Sequence, residues 1–222
     1  CRGEGQAVFL SGEAGLGKSR LAEEVYQQLV SPIGRRFSFQ CSPYHQNSAF
    51  YPIKSHLNHA VGLTESDTPA ARSDKLETFL KAGGGVSDEV AIVYANFLSV
   101  GGPEDTVVGS PEETKARTIE TLLHYIEKSA EKQPILILFE DLHWIDPSTE
   151  EVLNILIDRF DKTSVMVLGT YRPEYQPRWW GKSQVTTLSL PGLGPRQTEE
   201  LINSLNKNNE ILNGLMRTIV SR

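Results

Sequence analysis

The stretch LSGEAGLGKSRL, residues 10–21, decides the fold of this chain of 222 residues. Residues 12–19 within it, GEAGLGKS, satisfy the pattern GxxxxGK[ST]. The apolar run just before it, residues 7–10, predicts a buried strand, and residues 18–30 repeat apolar side chains at helical spacing. A glycine-rich loop between a buried strand and an amphipathic helix is the context in which this pattern binds phosphate.

The composition of the loop suits a polyphosphate ligand. Glycines tolerate positive φ and have no Cβ, so the backbone N–H groups can turn together toward anionic oxygens. The helix that begins near Lys18 adds the positive end of its dipole, Lys18 supplies a full charge to the β- and γ-phosphates, and the Ser19 hydroxyl can ligate Mg²⁺. The predicted nucleotide contacts are Gly12, Glu13, Ala14, Gly15, Leu16, Gly17, Lys18, Ser19 and Arg20.

An acidic strand end is expected to face this loop. The segment ILILFED, residues 135–141, is an apolar run followed by Glu140 and Asp141. One carboxylate at the strand tip can hold the Mg²⁺ shell, and the next can orient or deprotonate the water that attacks the γ-phosphorus. We assign Glu140 to the metal, together with Ser19, because it ends the strand directly, and Asp141 to the base. Since glutamate comes first, the two roles can also be exchanged.

A further buried strand, residues 165–170, leads to Arg172. From that strand tip an arginine can reach the γ-phosphate from the side, detect it and stabilise charge in the transition state. The alternative is a surface arginine that merely precedes a proline. The predicted catalytic set is Lys18, Glu140, Asp141 and Arg172.

Other conspicuous residues have structural interpretations. His143 and Trp144 follow the acids and either line the site or pack the loop. Asp146 followed by Pro147 is typical of a helix N-cap with proline at the first helical position. Trp179 and Trp180 either form an interaction patch or cover an edge of the structure, and we favour the covering role.

Composition limits the class of protein. The chain is 39% hydrophobic and 23% charged, as in ordinary globular domains, and its net charge of −6 disfavours non-specific binding to nucleic acid. Cys1 and Cys41 form no CxxC pair, so neither a disulfide framework nor a structural metal site is indicated. The longest apolar run, residues 135–139, has strand length, which predicts a cytoplasmic protein without a membrane span. Because the chain begins at Cys1, we expect it to be a fragment.

Strands and helices alternate, which predicts an α/β fold with a mainly parallel sheet. The predicted strands are 7–10, 36–41, 134–140, 165–170 and 185–190, and the predicted helices are 18–30, 50–61, 73–81, 88–98, 111–132, 147–160 and 196–205. Residues 42–110 are expected to be a helical insertion after the second strand. The predicted domains are a nucleotide-binding domain over 1–193 and the start of a C-terminal helical lid domain over 194–222.

Three motifs in order, SGEAGLGKSRL, FEDLHWIDPST and LGTYRPE, resemble the ATPase domain of the STAND class within the AAA-like P-loop ATPases. The members that look most similar accompany bacterial class III adenylate/guanylate cyclases and large transcriptional regulators with tetratricopeptide repeats (TPR); CSPYHQNSAFYPIKSHL, residues 41–57, is similar to a cyclase-linked segment. The resemblance implies a three-layer sandwich with strand order 5-1-4-3-2. It makes residues 12–19 Walker A, Glu140 and Asp141 Walker B, and Arg172 the sensor-1 arginine.

The resemblance also implies a function. Such proteins are signalling switches that exchange ADP for ATP and change interdomain packing or oligomeric state. We therefore expect a Mg²⁺-dependent, slowly hydrolysing ATP-binding module that controls a cyclase or DNA-binding effector of the full-length chain. The alternatives are an interaction domain with little or no hydrolysis and a stand-alone NTPase or kinase. The chain lacks the family's upstream GRE-type segment and stops before its Gly-Asn-Pro motif and lid, so turnover is expected to be slow and base specificity stays open.

Overall fold

The computed structural model describes residues 5–30, 33–83, 85–100, 109–160, 163–179, 181–192, 194 and 196–197. Its strands are β1 (Gln6–Ser11), β2 (Arg35–Gln40), β3 (Ile135–Glu140), β4 (Val165–Tyr171) and β5 (Val185–Ser189). Its helices are α1 (Lys18–Val25), α2 (Tyr51–Val61), α3 (Pro69–Ala82), α4 (Asp88–Phe97), α5 (Pro111–Lys132) and α6 (Pro147–Arg159), with a π-helical turn at Tyr26–Val30 and a 3₁₀ turn at Leu142–Trp144. The predicted helix over 196–205 and nearly all of the predicted lid segment lie outside the described residues.

The strands form one parallel sheet in the order β2-β3-β4-β1-β5. Read from the opposite edge, this is the predicted order 5-1-4-3-2, so the predicted topology is confirmed. Because all the strands run in one direction, their carboxyl ends meet at one edge of the sheet. Strand β4 lies between β1 and β3, and therefore between the glycine-rich loop and the acidic segment.

Helices cover both faces of the sheet, which confirms the predicted three-layer sandwich. One face packs its aromatic and branched side chains against α2 to α6. On the other face, Leu136, Leu138 and Leu168 pack against Ala22 of α1 and Val30. Strands with both faces buried need the continuously apolar sequence seen in β3, and each such side chain stabilises the fold by roughly 1.5–3 kcal/mol.

Capping residues explain where two helices begin. Ser110 and Glu113 form a reciprocal capping box, so α5 has the predicted bounds. Helix α3 begins four residues earlier than predicted, because the Thr68 side chain caps it and Pro69 occupies its first turn. Among the described residues, none of the helices has the length and apolar character needed to cross a lipid bilayer.

His56 of α2 is packed among aromatic rings. Its ring centroid lies 5.3 Å from those of Phe37 and Phe39 on the sheet. Burial, with smaller contributions from Arg35 and His59, lowers the pKa of His56 to about 4, from a usual value of 6.5. The folded state therefore requires a neutral ring.

This histidine predicts a pH dependence of stability. Between the unfolded pKa and the folded pKa the unfolded chain binds the extra proton, so lowering the pH from about 6.5 to about 4 should cost about 1–3 kcal/mol of unfolding free energy. Urea unfolding at a series of pH values would measure it. The His56→Phe variant should lose less stability than the wild type over that window; parallel profiles would contradict the prediction.

Candidate functional site

The glycine-rich loop links β1 to α1 and forms an open cradle. Gly15 and Gly17 have φ values of +83° and +82°, which L side chains rarely adopt. A Cβ built on either glycine would have no atom within 4 Å. The backbone is therefore bare and open where the sequence predicts phosphate contacts, which leaves room for a polyphosphate.

Lys18 projects back into this loop. The residue is only 8% exposed, and its Nζ donates hydrogen bonds to the carbonyl oxygens of Gly12 at 2.7 Å and Glu13 at 2.8 Å. Within the described part of the chain, no carboxylate lies at ion-pair distance from Nζ. A buried cation without a counter-charge is costly, and an anion bound in the loop would offset that cost.

The predicted acids stand at the end of β3. Glu140 is its last residue and is in register with Gln40 of β2. Asp141 has left-handed backbone angles, φ 57° and ψ 46°, and its N–H donates to Thr170 Oγ1 at 3.1 Å. Its carboxylate accepts a hydrogen bond from Gln40 Nε2 at 2.9 Å. We did not predict that Gln40 contacts the acids. The predicted strand order places β2 beside β3, and Gln40 at the end of β2 pairs with Glu140.

Strand β4 connects the acids to the loop. Thr170 holds Asp141, and the carbonyl of Tyr171 accepts the N–H of Gly12 at 3.3 Å. Arg172 follows directly, is about 40% exposed, and has Nη1 4.0 Å from Glu174 Oε1. The predicted catalytic residues thus meet at one edge of the sheet, and their roles there stay predictions.

The turn after Asp141 is fixed against β4. Leu142 is fully buried, and its Cδ1 would lie 2.6 Å from a Cβ built on Gly169. Phe9 Cδ1 would lie 2.4 Å from the same Cβ, so only glycine fits at this position of β4. The main chain is also closed by the N–H of Trp144, which donates to the carbonyl of Asp141 at 2.8 Å. The turn therefore has one well-defined position beside the strand ends.

Asp146 is the N-cap of α6, as predicted. Its buried carboxylate accepts the N–H groups of Ser148 at 3.1 Å and Thr149 at 3.0 Å, and the Thr149 hydroxyl at 2.6 Å. The N–H of Phe50 also donates to it at 2.9 Å. This last bond, which was not predicted, ties the start of the helical insertion to the turn that follows the acids.

Oxygen donors at the site suit Mg²⁺. Ser19 is an exposed residue at the start of α1, which follows β1. Glu140 ends β3, which is separated from β1 in the sheet by β4. No three His, Cys, Asp or Glu side chains of the described residues cluster as a metal site. Mg²⁺ is usually bound through one or two protein ligands together with substrate phosphates, so a site of two protein oxygens would be ordinary. The assignment of Ser19 and Glu140 to the metal stays a prediction.

A separate cavity lies in the helical insertion. Its volume is about 360 Å³, and Leu76, Leu80, Ile92 and Val100 line it between α3 and α4. Because its lining is mainly apolar and includes neither the loop nor the acids, we assign it no part in nucleotide binding.

The sequence model of the AAA ATPase domain matches residues 1–168. The chain belongs to the AAA ATPase domain family. An uncharacterized protein of Rhizobium meliloti (strain 1021) is 26% identical over 197 residues, which are 88% of this chain and 19% of that protein. The chain therefore spans about a fifth of the length of this curated relative.

Solved structures that are similar to this AAA ATPase domain include the following two. The E. coli HORMA:CdnC:Trip13 complex contains a chain that is 13% identical, with a TM-score of 0.52, over 99% of this chain and 60% of that one. A Signal Transduction ATPase with Numerous Domains (STAND) protein with a tetratricopeptide repeat sensor from Pyrococcus horikoshii is 17% identical, with a TM-score of 0.45, over 94% of this chain and 24% of that one. The predicted membership of the AAA-like P-loop ATPases is confirmed.

Proposed function

We propose that this AAA ATPase domain binds ATP and ADP with Mg²⁺, hydrolyses ATP slowly and acts as a regulatory switch of the STAND type. The observation that carries the proposal is the buried Lys18 ammonium, which lacks a carboxylate partner in the described part of the chain and projects into a bare glycine cradle. A polyphosphate would supply the missing negative charge. Asp141 and Arg172 stand at the same sheet edge, where hydrolysis would require them.

The proposed roles follow from position. The backbone N–H groups of residues 12–19 and the Lys18 ammonium hold the β- and γ-phosphates. Ser19 and Glu140 would hold Mg²⁺, which when bound supplies positive charge to the phosphate oxygens. Asp141 orients the attacking water and accepts its proton, and Arg172 stabilises the charge that develops on the terminal phosphate.

The hydrogen bond between Gln40 and Asp141 supports slow hydrolysis. The Asp141 carboxylate accepts a hydrogen bond from Gln40 Nε2 at 2.9 Å, so one of its acceptor positions is already occupied. In our proposal, the attacking water competes with Gln40 for the Asp141 carboxylate, which slows hydrolysis. A switch that persists in its ATP-bound form needs such a restraint.

The regulatory role rests on the resemblance of the three motifs to STAND ATPases. In our proposal, nucleotide exchange changes the packing of this domain against an effector of the full-length protein, a cyclase or a DNA-binding domain, with TPR repeats as a further partner. Nucleotide-dependent oligomerisation and a cytoplasmic location belong to the same proposal. The proposal does not include direct binding of this domain to nucleic acid or to a membrane.

Variants of Glu140 and Asp141 should have different effects, one on Mg²⁺ binding and the other on hydrolysis. We expect Asp141→Asn to slow phosphate release by about 100-fold or more while leaving nucleotide affinity nearly unchanged, because only the base is lost. Glu140→Gln should raise the Mg²⁺ concentration needed for ATP binding, because a metal ligand is weakened. Phosphate release and calorimetric titration at several Mg²⁺ concentrations would measure both effects.

Matched controls are available on the surface of the helical insertion and α5. Asp74→Asn and Glu131→Gln make the same chemical changes at exposed carboxylates of α3 and α5, outside the glycine-rich loop and the carboxyl end of β3. Neither variant should alter phosphate release or the Mg²⁺ dependence of ATP binding. If Asp141→Asn hydrolyses ATP at the wild-type rate, Asp141 is not the base. If the effects of the two variants are interchanged, the roles of the two acids are exchanged.

A further inference from the structure

His143 is the middle residue of the turn Leu142–Trp144, between the ends of β3 and β4. Both of its ring nitrogens are buried, and neither has a hydrogen-bond partner among the described residues. A neutral imidazole has one N–H donor and one acceptor, and each buried group left unpaired costs roughly 1–3 kcal/mol. Packing of the turn alone does not explain why a histidine stands here.

The ring lies among the charged groups of the proposed nucleotide site. Burial lowers the pKa of His143, and the charges that act on it are those of Asp141, Arg172, Glu174 and Lys18. The ring is therefore neutral near pH 7 and keeps a single N–H donor. Two of its four charged neighbours, Lys18 and Arg172, are the cations proposed to contact the γ-phosphate.

The turn holds the backbone of His143 beside the strand ends. Leu142, the residue before it, is fully buried, and its side chain packs closely over Gly169 of β4. On the other side the ring packs against Trp144, with centroids 4.9 Å apart. Because both ring nitrogens are buried, the ring must rotate about its side-chain bonds to meet a ligand in the loop, from a backbone position that the turn already sets.

We propose that His143 donates a hydrogen bond to the terminal phosphate of the bound triphosphate and so makes the site prefer triphosphate over diphosphate. The inference rests on the proposed function, because it requires nucleotide in the glycine cradle. A γ-phosphate oxygen would be a charged acceptor for the buried N–H, and hydrogen bonds to charged groups are the stronger ones. ADP has no phosphate at that position and would leave the ring unpaired.

The test compares affinities for two nucleotides. The chain would be titrated with Mg-ADP and with a non-hydrolysable Mg-ATP analogue, as wild type and as His143→Ala, His143→Phe and His143→Gln. We expect His143→Ala and His143→Phe to bind the triphosphate analogue at least about 10-fold more weakly, with ADP affinity changed less than about twofold. His143→Gln keeps an N–H donor and should recover part of the loss.

The nucleotide comparison distinguishes recognition from packing, because a purely structural role would change both affinities equally. Equal losses for ADP and the analogue, or no loss for either, would overturn the inference. His143→Phe keeps a planar ring against Trp144, so a folding defect confined to His143→Ala does not affect the test. If the folded wild type binds neither nucleotide, the proposed function itself fails; if it binds both and the variants keep its preference, only this inference fails.

Discussion

Replacing Lys18 with alanine is expected to weaken binding of both Mg-ATP and Mg-ADP by at least about 100-fold, a loss of about 2.7 kcal/mol. The variant loses the buried ammonium, which is the full positive charge inside the loop. The glycine cradle and the dipole of α1 remain, but their partial charges cannot replace it. Isothermal calorimetry with each nucleotide would measure the effect.

The same substitution should leave the fold intact. Among the described residues, Nζ donates hydrogen bonds to the loop carbonyls of Gly12 and Glu13 alone, and removing a buried cation without a counter-charge removes a desolvation cost. The unfolding free energy of Lys18→Ala should therefore equal or exceed that of the wild type without nucleotide. Lys81→Ala, at an exposed position of α3, is the matched control and should bind normally. Wild-type affinity in Lys18→Ala would defeat the proposed site.

Local patterns were sufficient to predict the elements that carry this site. The apolar run of β3 has the length and composition typical of a strand buried on both faces, and the glycine pattern predicts the loop before α1. Ser110 with Glu113 fixes the start of α5, and Asp146 with Pro147 fixes that of α6. In each case the residues that determine the structure are neighbours in the sequence.

Contacts between distant segments could not be predicted in this way. Gln40 and Asp141 are 101 positions apart, and nothing near Gln40 in the sequence indicates that its amide holds an acid. The burial of both His143 nitrogens depends on how Leu142 docks against Gly169 of a later strand. These features arise only after the sheet has assembled. Motifs and periodicity therefore predict which residues form the site, but they do not predict the hydrogen bond of Gln40 or the burial of His143.

Replacing Asp146 with alanine is expected to reduce the unfolding free energy by about 3–5 kcal/mol, the largest stability effect that we predict. Its carboxylate satisfies two N–H groups of α6, the Thr149 hydroxyl and the N–H of Phe50, which is 96 positions away. Alanine would leave these donors unpaired in the interior, and it would also free the insertion from the turn that follows the acids.

The Asp146→Asn variant separates the charge of this residue from its hydrogen bonds. The amide oxygen of asparagine can still accept the bonds that Oδ1 of Asp146 receives from Ser148, Thr149 and Phe50, so this variant should lose clearly less stability than Asp146→Ala. Urea unfolding monitored by circular dichroism would measure both variants. Because Phe50 and the turn are joined only through this side chain among the described hydrogen bonds, Asp146→Ala should also expose residues 42–50 to faster amide exchange. If the alanine variant unfolds at the wild-type urea concentration, the carboxylate does not join these two segments in solution.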